Sequence, residues 1–226
     1  MSRVESVDFG RRQLVVRREP WLALRASWRS VVVLSGLALG ALVLAVLALG
    51  VGEYPVPPMD VIAVLTGHDY SFSSVVVLQW RMPRIVLALA IGAALGLSGA
   101  ILQALTRNPL GSPDVIGFNF GAYTGALIGI ALLGGGYYLT ALSAVVGGLV
   151  TAVVVYLLAY KNGLAGFRLI IVGIGISAIA SSLNQWIIIK LKLRQAITAA
   201  IWQQGTLSGL HWDQAVPVLV CLAMVL

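Results

Sequence analysis

Apolar residues along this chain come in runs of about twenty, separated by short punctuated segments, which is the pattern of helices threaded across a bilayer. Val31 to Gly52, Ile85 to Leu105, Val115 to Gly136, Leu139 to Tyr160 and Leu169 to Ile189 predict five spans, and a sixth begins near Ala215 and runs to Leu226. At a rise of about 1.5 Å per residue, the 21 residues of the second run reach ~30 Å, the thickness of a hydrocarbon core. Between the first two spans, Glu53 to Gln79 is a polar connector containing Pro55, Pro57, Pro58, Gly67, His68 and Asp69, with a short helix predicted over Met59 to Thr66. The final connector, Gln195 to Gln214, mixes Trp202, His211 and Trp212 with polar residues and glycines, which suits an interfacial helix and turn.

Small and polar residues inside the runs repeat at helical spacing. Gly92, Gly96 and Gly99 fall at i, i+4 and i+7, with Gln103 four further on, so one face of the second span is a groove that a neighbouring helix can enter. In the third span Gly117, Gly121, Gly125 and Gly129 make a second close-packing seam. Gly173, Ser177, Ser181 and Asn184 share one face of the fifth span, with Ser182 and Gln185 just beside it. An amide in lipid must find hydrogen-bond partners, so this face points into protein or water. The residues leave two uses open, a neighbouring helix or an aqueous pathway.

Two segments are punctuated rather than apolar. Arg107 to Pro113 carries Pro109, Gly111 and Pro113, which force the chain to reverse within a few residues. Lys161 to Arg168 (KNGLAGFR) is a second short turn. Both are predicted on the same side of the bilayer.

Composition agrees with a lipid-solvated chain: 59% of residues are hydrophobic, 10% are charged, and mean hydropathy is +0.96. The net charge of +7 is split between an N-terminal stretch and short loops, with no pattern for nucleic acid. Met1 to Ser30 holds seven arginines and reads as a basic cytoplasmic tail able to rest on anionic headgroups, ahead of a single membrane domain from residue 31 to 226. The first run lacks a small-residue cleavage site and reads as a retained helix. With the N-terminus inside, ten lysines and arginines lie on the cytoplasmic side against five outside, although the loops alone count three against five.

Chemistry is sparse. Cys221 is the one cysteine, and the sequence has no phosphate-binding G-x-x-x-x-G-K-[ST] loop, no H-E-x-x-H and no nucleophile elbow. No metal site or cofactor is expected on this chain, and it is not expected to be an enzyme. The spans contain no acidic residue, which counts against an ion-coupled secondary transporter. A non-transporting membrane assembly subunit is a further alternative.

The segments WRMPR, GAALGLSGAILQ and RNPLGSPDVIGFNFGA, followed later by FRLIIVGIGISAI, resemble the membrane permease subunit of ABC importers for iron siderophores and vitamin B12. RNPLGSPDVIGFN and FRLIIVGIGISAI are similar to the ferric enterobactin branch rather than the B12 branch. The resemblance implies an all-α, polytopic fold of the B12-importer type. Of it this chain would be the N-terminal half, about five to six of ten helices, as a fragment or a truncated form.

The resemblance further implies a bacterial inner-membrane protein, paired with an identical or similar permease and with a cytoplasmic ATPase dimer that holds ATP and Mg. A siderophore-binding protein would deliver cargo from outside. Arg81 and Arg84 match positions that dock the binding protein, the alternative being interfacial snorkelling. Asn108, Pro109 and Leu110 match one cytoplasmic gate and Leu164, Ala165 and Gly166 the other, the alternative being passive turns. Gly173, Ser177, Ser181 and Asn184 match a pathway-lining helix.

Overall fold

The computed structural model describes residues 3–8, 12–18, 22–68, 71–109, 111–114, 116–161 and 166–225. The chain divides into two units, Met1–Leu89 with Gly209–Pro217, and Ala90–Ser208 with Val218–Leu226.

The first unit begins with β1 (Arg3–Asp8), β2 (Arg12–Arg18) and β3 (Leu22–Ser27), an antiparallel meander in the order β1-β2-β3 with Val4 opposite Val16 and Val16 opposite Leu24. Arginines dominate the composition of this stretch. The short Leu14 to Val16 run has the β-branched content of a strand, and in the structure it lies in the middle one. Ser27 then caps α1 (Trp28–Gly50), its Oγ accepting from the Ser30 N–H at 3.1 Å. Only Leu49 of α1 is buried, so most of its apolar surface meets no described neighbour.

Pro58 opens α2 (Pro58–Leu65), close to the predicted short helix. The main departure comes next. Instead of a connector up to Gln79, α3 (Phe72–Val75) runs without a break through a π turn (Val76–Arg81) into α4 (Met82–Thr106). Pro83 therefore lies inside a continuous helix. Leu49, Val56, Val61, Val64, Val76 and Val77 form the core of this unit, with Leu78, Met82 and Ile85 packed against it.

In the second unit α5 (Phe118–Leu132) packs on α6 (Tyr137–Ala159) and α7 (Gly166–Lys190), while α8 (Leu193–Gln204) lies against α5. Two long-range bonds fasten α8: the Tyr123 hydroxyl donates to the Ala199 carbonyl at 3.1 Å and Gln195 Nε2 to the Ile130 carbonyl at 3.1 Å. One core gathers Ile116, Val155, Ala159 and Leu169, and another Leu127, Ile130 and Ala199. The last helix, α9 (Trp212–Val225), starts in the first unit and ends in the second.

Among the described residues four helices are long and apolar enough to cross a membrane: Trp28–Gly50, Phe72–Thr106, Tyr137–Ala159 and Gly166–Lys190. The third predicted span is shorter than its apolar run. α5 has 15 residues, about 22 Å of helix, because Gly117 at φ +85° forms its entry and Gly134 and Gly135, at +85° and +71°, break the chain after its end.

Candidate functional site

The RMPR segment owes its geometry to Pro83. A helical proline lacks an N–H and crowds the carbonyl one turn back. Here the turn before it widens, with the Met82 N–H donating to the Val77 carbonyl, five residues back. In that register the Leu78 carbonyl would take its hydrogen bond from residue 83, which has none to give. The indole N–H of Trp212, from the start of α9, donates to it at 2.8 Å.

The two arginines part company on this turn. Arg81 is buried, 6% exposed, with Nη1 donating to the Leu49 carbonyl at 2.6 Å and Nη2 to the Tyr54 carbonyl at 2.5 Å. Both acceptors are backbone: one is in the last turn of α1 and the other in the connector that follows. Arg84 is only half-buried, and its Nε donates within its own helix to the Trp80 carbonyl at 3.3 Å. Arg81 was expected at a docking surface together with Arg84. In the structure its guanidinium faces inward, toward a carbonyl in the last turn of α1, which attracts a cation, and a second in the connector. Sequence reading missed both Trp212 and the inward turn of Arg81. Pro83 with Gly52 was the available signal, a missing donor on one side and a residue without a side chain on the other.

Of the two segments read as gates, one follows the end of α4 and the other leads into α7. Arg107 takes a left-handed backbone, φ 50°, the Asn108 N–H reaches the Gln103 carbonyl at 3.3 Å, and the Gly111 N–H reaches the Asn108 carbonyl at 3.0 Å. Gly166, the first residue of α7, lies directly on this end. A Cβ added there would come within 2.5 to 2.9 Å of Thr106 backbone atoms. Asn108 is half-buried and Pro109 exposed, whereas Leu110, Leu164 and Ala165 lie outside the described residues.

The seam on α5 is a packing surface, as its spacing predicts. Cβ atoms added at Gly121, Gly125 and Gly129 would collide with Thr151, Ser143 and Gly147 across α6 or press on Ser143 and Thr140. Gly117 meets α7 instead, at Ser177 and Gly173. The groove on α4 differs: nothing lies within 4 Å of a Cβ added at Gly92, Gly96 or Gly99. The expected helix packing at these three is therefore absent among the described residues, since no described neighbour reaches that face.

The polar stripe of α7 resolves into two faces. Gly173 is buried against α5, the Ser177 hydroxyl donates back to the Gly173 carbonyl at 2.7 Å, and Ser181 is half-buried. Asn184 is 3% exposed, with Oδ1 2.7 Å from the Thr124 hydroxyl and Nδ2 donating to the Phe120 carbonyl at 3.1 Å. Its amide thus joins α7 to α5. Ser182 and Gln185, one step round the helix, are exposed. Between α5, α6 and α7 a cavity of about 550 Å³ opens, walled mainly by aliphatic side chains such as Ile128, Leu142, Val146 and Leu183. Its walls carry no charged or amide group.

Comparison with known proteins gives these features a context. The profile of the FecCD transport family matches residues 32–226. The ferric enterobactin transport system permease protein FepG of Escherichia coli is 49% identical over 166 residues, covering 74% of this chain and 50% of that protein. A probable siderophore transport system permease protein of Bacillus subtilis, YfhA, is 34% identical over 211 residues, covering 90% of this chain and 60% of that one. A solved structure of a metal-chelate type ABC transporter in an inward-facing conformation superposes with a TM-score of 0.71 at 28% identity, over 85% of this chain and 59% of its own. The chain spans about half the length of the enterobactin relative. A match that takes in every helix from α1 onward, with the proline-bearing helix and its glycine seams inside it, settles the kinship: this chain belongs to the FecCD transport family.

Proposed function

We propose that this chain forms part of the membrane permease of an ABC importer for a ferric siderophore, of the catecholate class to which enterobactin belongs. The observation that carries the proposal is the 49% identity to the enterobactin permease, which runs through 74% of the chain. The iron is cargo inside its chelate, so the permease supplies a corridor and not ligands. A second permease subunit, identical or similar, completes the corridor. A cytoplasmic ATPase dimer holding ATP and Mg drives it, and a soluble binding protein delivers the chelate from outside.

The N-terminus lies in the cytoplasm, which puts the RMPR turn at the outer mouth and the α4–α7 junction at the inner one. Arg84, half-buried and without a second carbonyl to hold it, offers its guanidinium to a carboxylate of the binding protein. At the inner mouth Gly166 against Thr106 lets the segments around Asn108 and Pro109 and around Gly166 close on each other. Leu110, Leu164 and Ala165 complete those segments in sequence. Deleting the gene in its native host tests the cargo: loss of growth when a ferric catecholate is the sole iron source, restored by the gene in trans, is expected. Unimpaired growth on every ferric catecholate tried, with loss on another chelate, overturns the substrate class.

A further inference from the structure

We propose that the two arginines of the RMPR turn have divided their work, Arg81 being a latch that positions the outer mouth and Arg84 the group that meets the partner. The Arg84 half rests on the docking reading above; the Arg81 half stands on geometry.

Arg81 lies on the widened turn, which leaves it facing the end of α1 instead of solvent. Its fork spans two carbonyls, Leu49 at 2.6 Å and Tyr54 at 2.5 Å, so it fastens the last turn of α1 to the connector behind it. The neighbouring Gly50 carbonyl is taken by the Val56 N–H at 3.0 Å, and the guanidinium supplies a donor to Leu49, another of the carbonyls that the end of α1 leaves without one. Gly52 lies against the guanidinium: a Cβ there would sit 2.6 Å from Nη2 and 3.1 Å from Cζ. A cation at a helix C-terminus is favoured by the helix dipole. Arginine reaches both acceptors at once through its planar fork. A lysine would keep the charge, but its single ammonium cannot bridge the pair in the same way.

A buried guanidinium bound to backbone offers little access to a partner's carboxylate. It contributes instead to the shape of residues 50–57, held further by the Trp212 bond to the same turn. Losing the latch through Arg81→Lys or Gly52→Ala therefore loosens the mouth without changing its charge, whereas losing Arg84 changes the charge without loosening it.

The test uses the assembled importer in nanodiscs with two readouts: amide hydrogen exchange over residues 50–57, and the salt dependence of association with the chelate-loaded binding protein. Arg81→Lys, Arg81→Gln and Gly52→Ala are each expected to speed exchange about tenfold, and the charge-conserving pair, Arg81→Lys and Gly52→Ala, to leave the salt slope as in the parent. Combining Gly52→Ala with Arg81→Lys should add nothing to either, because both break one contact. Arg84→Gln is expected to flatten the slope and leave exchange unchanged. Parental exchange in Arg81→Lys and in Gly52→Ala, or a slope flattened by Arg81→Lys as much as by Arg84→Gln, overturns the latch. A slope untouched by Arg84→Gln overturns the docking half alone, since the exchange readout decides the latch independently.

Discussion

Asn184 on α7 lies with its Oδ1 2.7 Å from the hydroxyl of Thr124 on α5, and the same amide donates to the Phe120 carbonyl at 3.1 Å. One side chain thereby closes with two groups of a neighbouring helix. Asn184→Ala removes both contacts and leaves a hole, and it is expected to cost about 1 to 2 kcal/mol. Thermal unfolding in detergent measures it. Thr124→Ala should cost less, and the double substitution less than the two costs together. Ser182→Ala, on the exposed face, should leave the midpoint unchanged.

The glycines of α5 and α4 make opposite predictions. At Gly125 a side chain would run into the Ser143 backbone, while at Gly96 it would meet no described neighbour. Gly125→Leu is expected to separate α5 from α6 at a cost of about 3 kcal/mol or more, seen as aggregation on size exclusion. Gly96→Leu should elute as the parent does when the chain is purified alone.

The bond from Trp212 to Leu78 answers a deficit that Pro83 creates, so the two residues should be coupled. Trp212→Phe keeps most of the ring and loses the donor, at a cost of about 1 to 2 kcal/mol in thermal unfolding. With Pro83→Ala a backbone N–H returns at the position facing the Leu78 carbonyl in the wide register. Trp212→Phe should then cost markedly less. Equal costs in both backgrounds would show that the indole serves some other end.

Much of this was legible in the sequence, and the failures have physical causes. Hydrophobic runs located α1, α4, α6 and α7 to within a few residues at most ends, because lipid imposes length and polarity directly. The α5 seam was legible from its four-residue spacing. The same spacing on α4 predicted packing that no described helix supplies, since periodicity says which residues share a face and not what covers it. The asparagine of α7 was placed on a face turned toward protein or water, and only its partners on α5 decide between them. The inward turn of Arg81 is not legible in sequence, because a single extra residue in the turn redirects its side chain. The strands at residues 3–27 were hidden behind their own arginines.

At the junction of α4 and α7, Gly166 allows the two backbones to touch. Gly166→Ala forces them apart by the width of a methyl group and is expected to lower iron-chelate uptake at unchanged protein level. Gly175→Ala, on an open face of α7, is the matched control and should transport normally.

The account stands or falls on how transport is powered. Proteoliposomes holding the complete permease with its ATPase, and supplied with the binding protein and a radiolabelled ferric catecholate, should accumulate iron only when ATP reaches the ATPase, with or without an ion gradient. Accumulation driven by a proton or sodium gradient, with no nucleotide present, would contradict it.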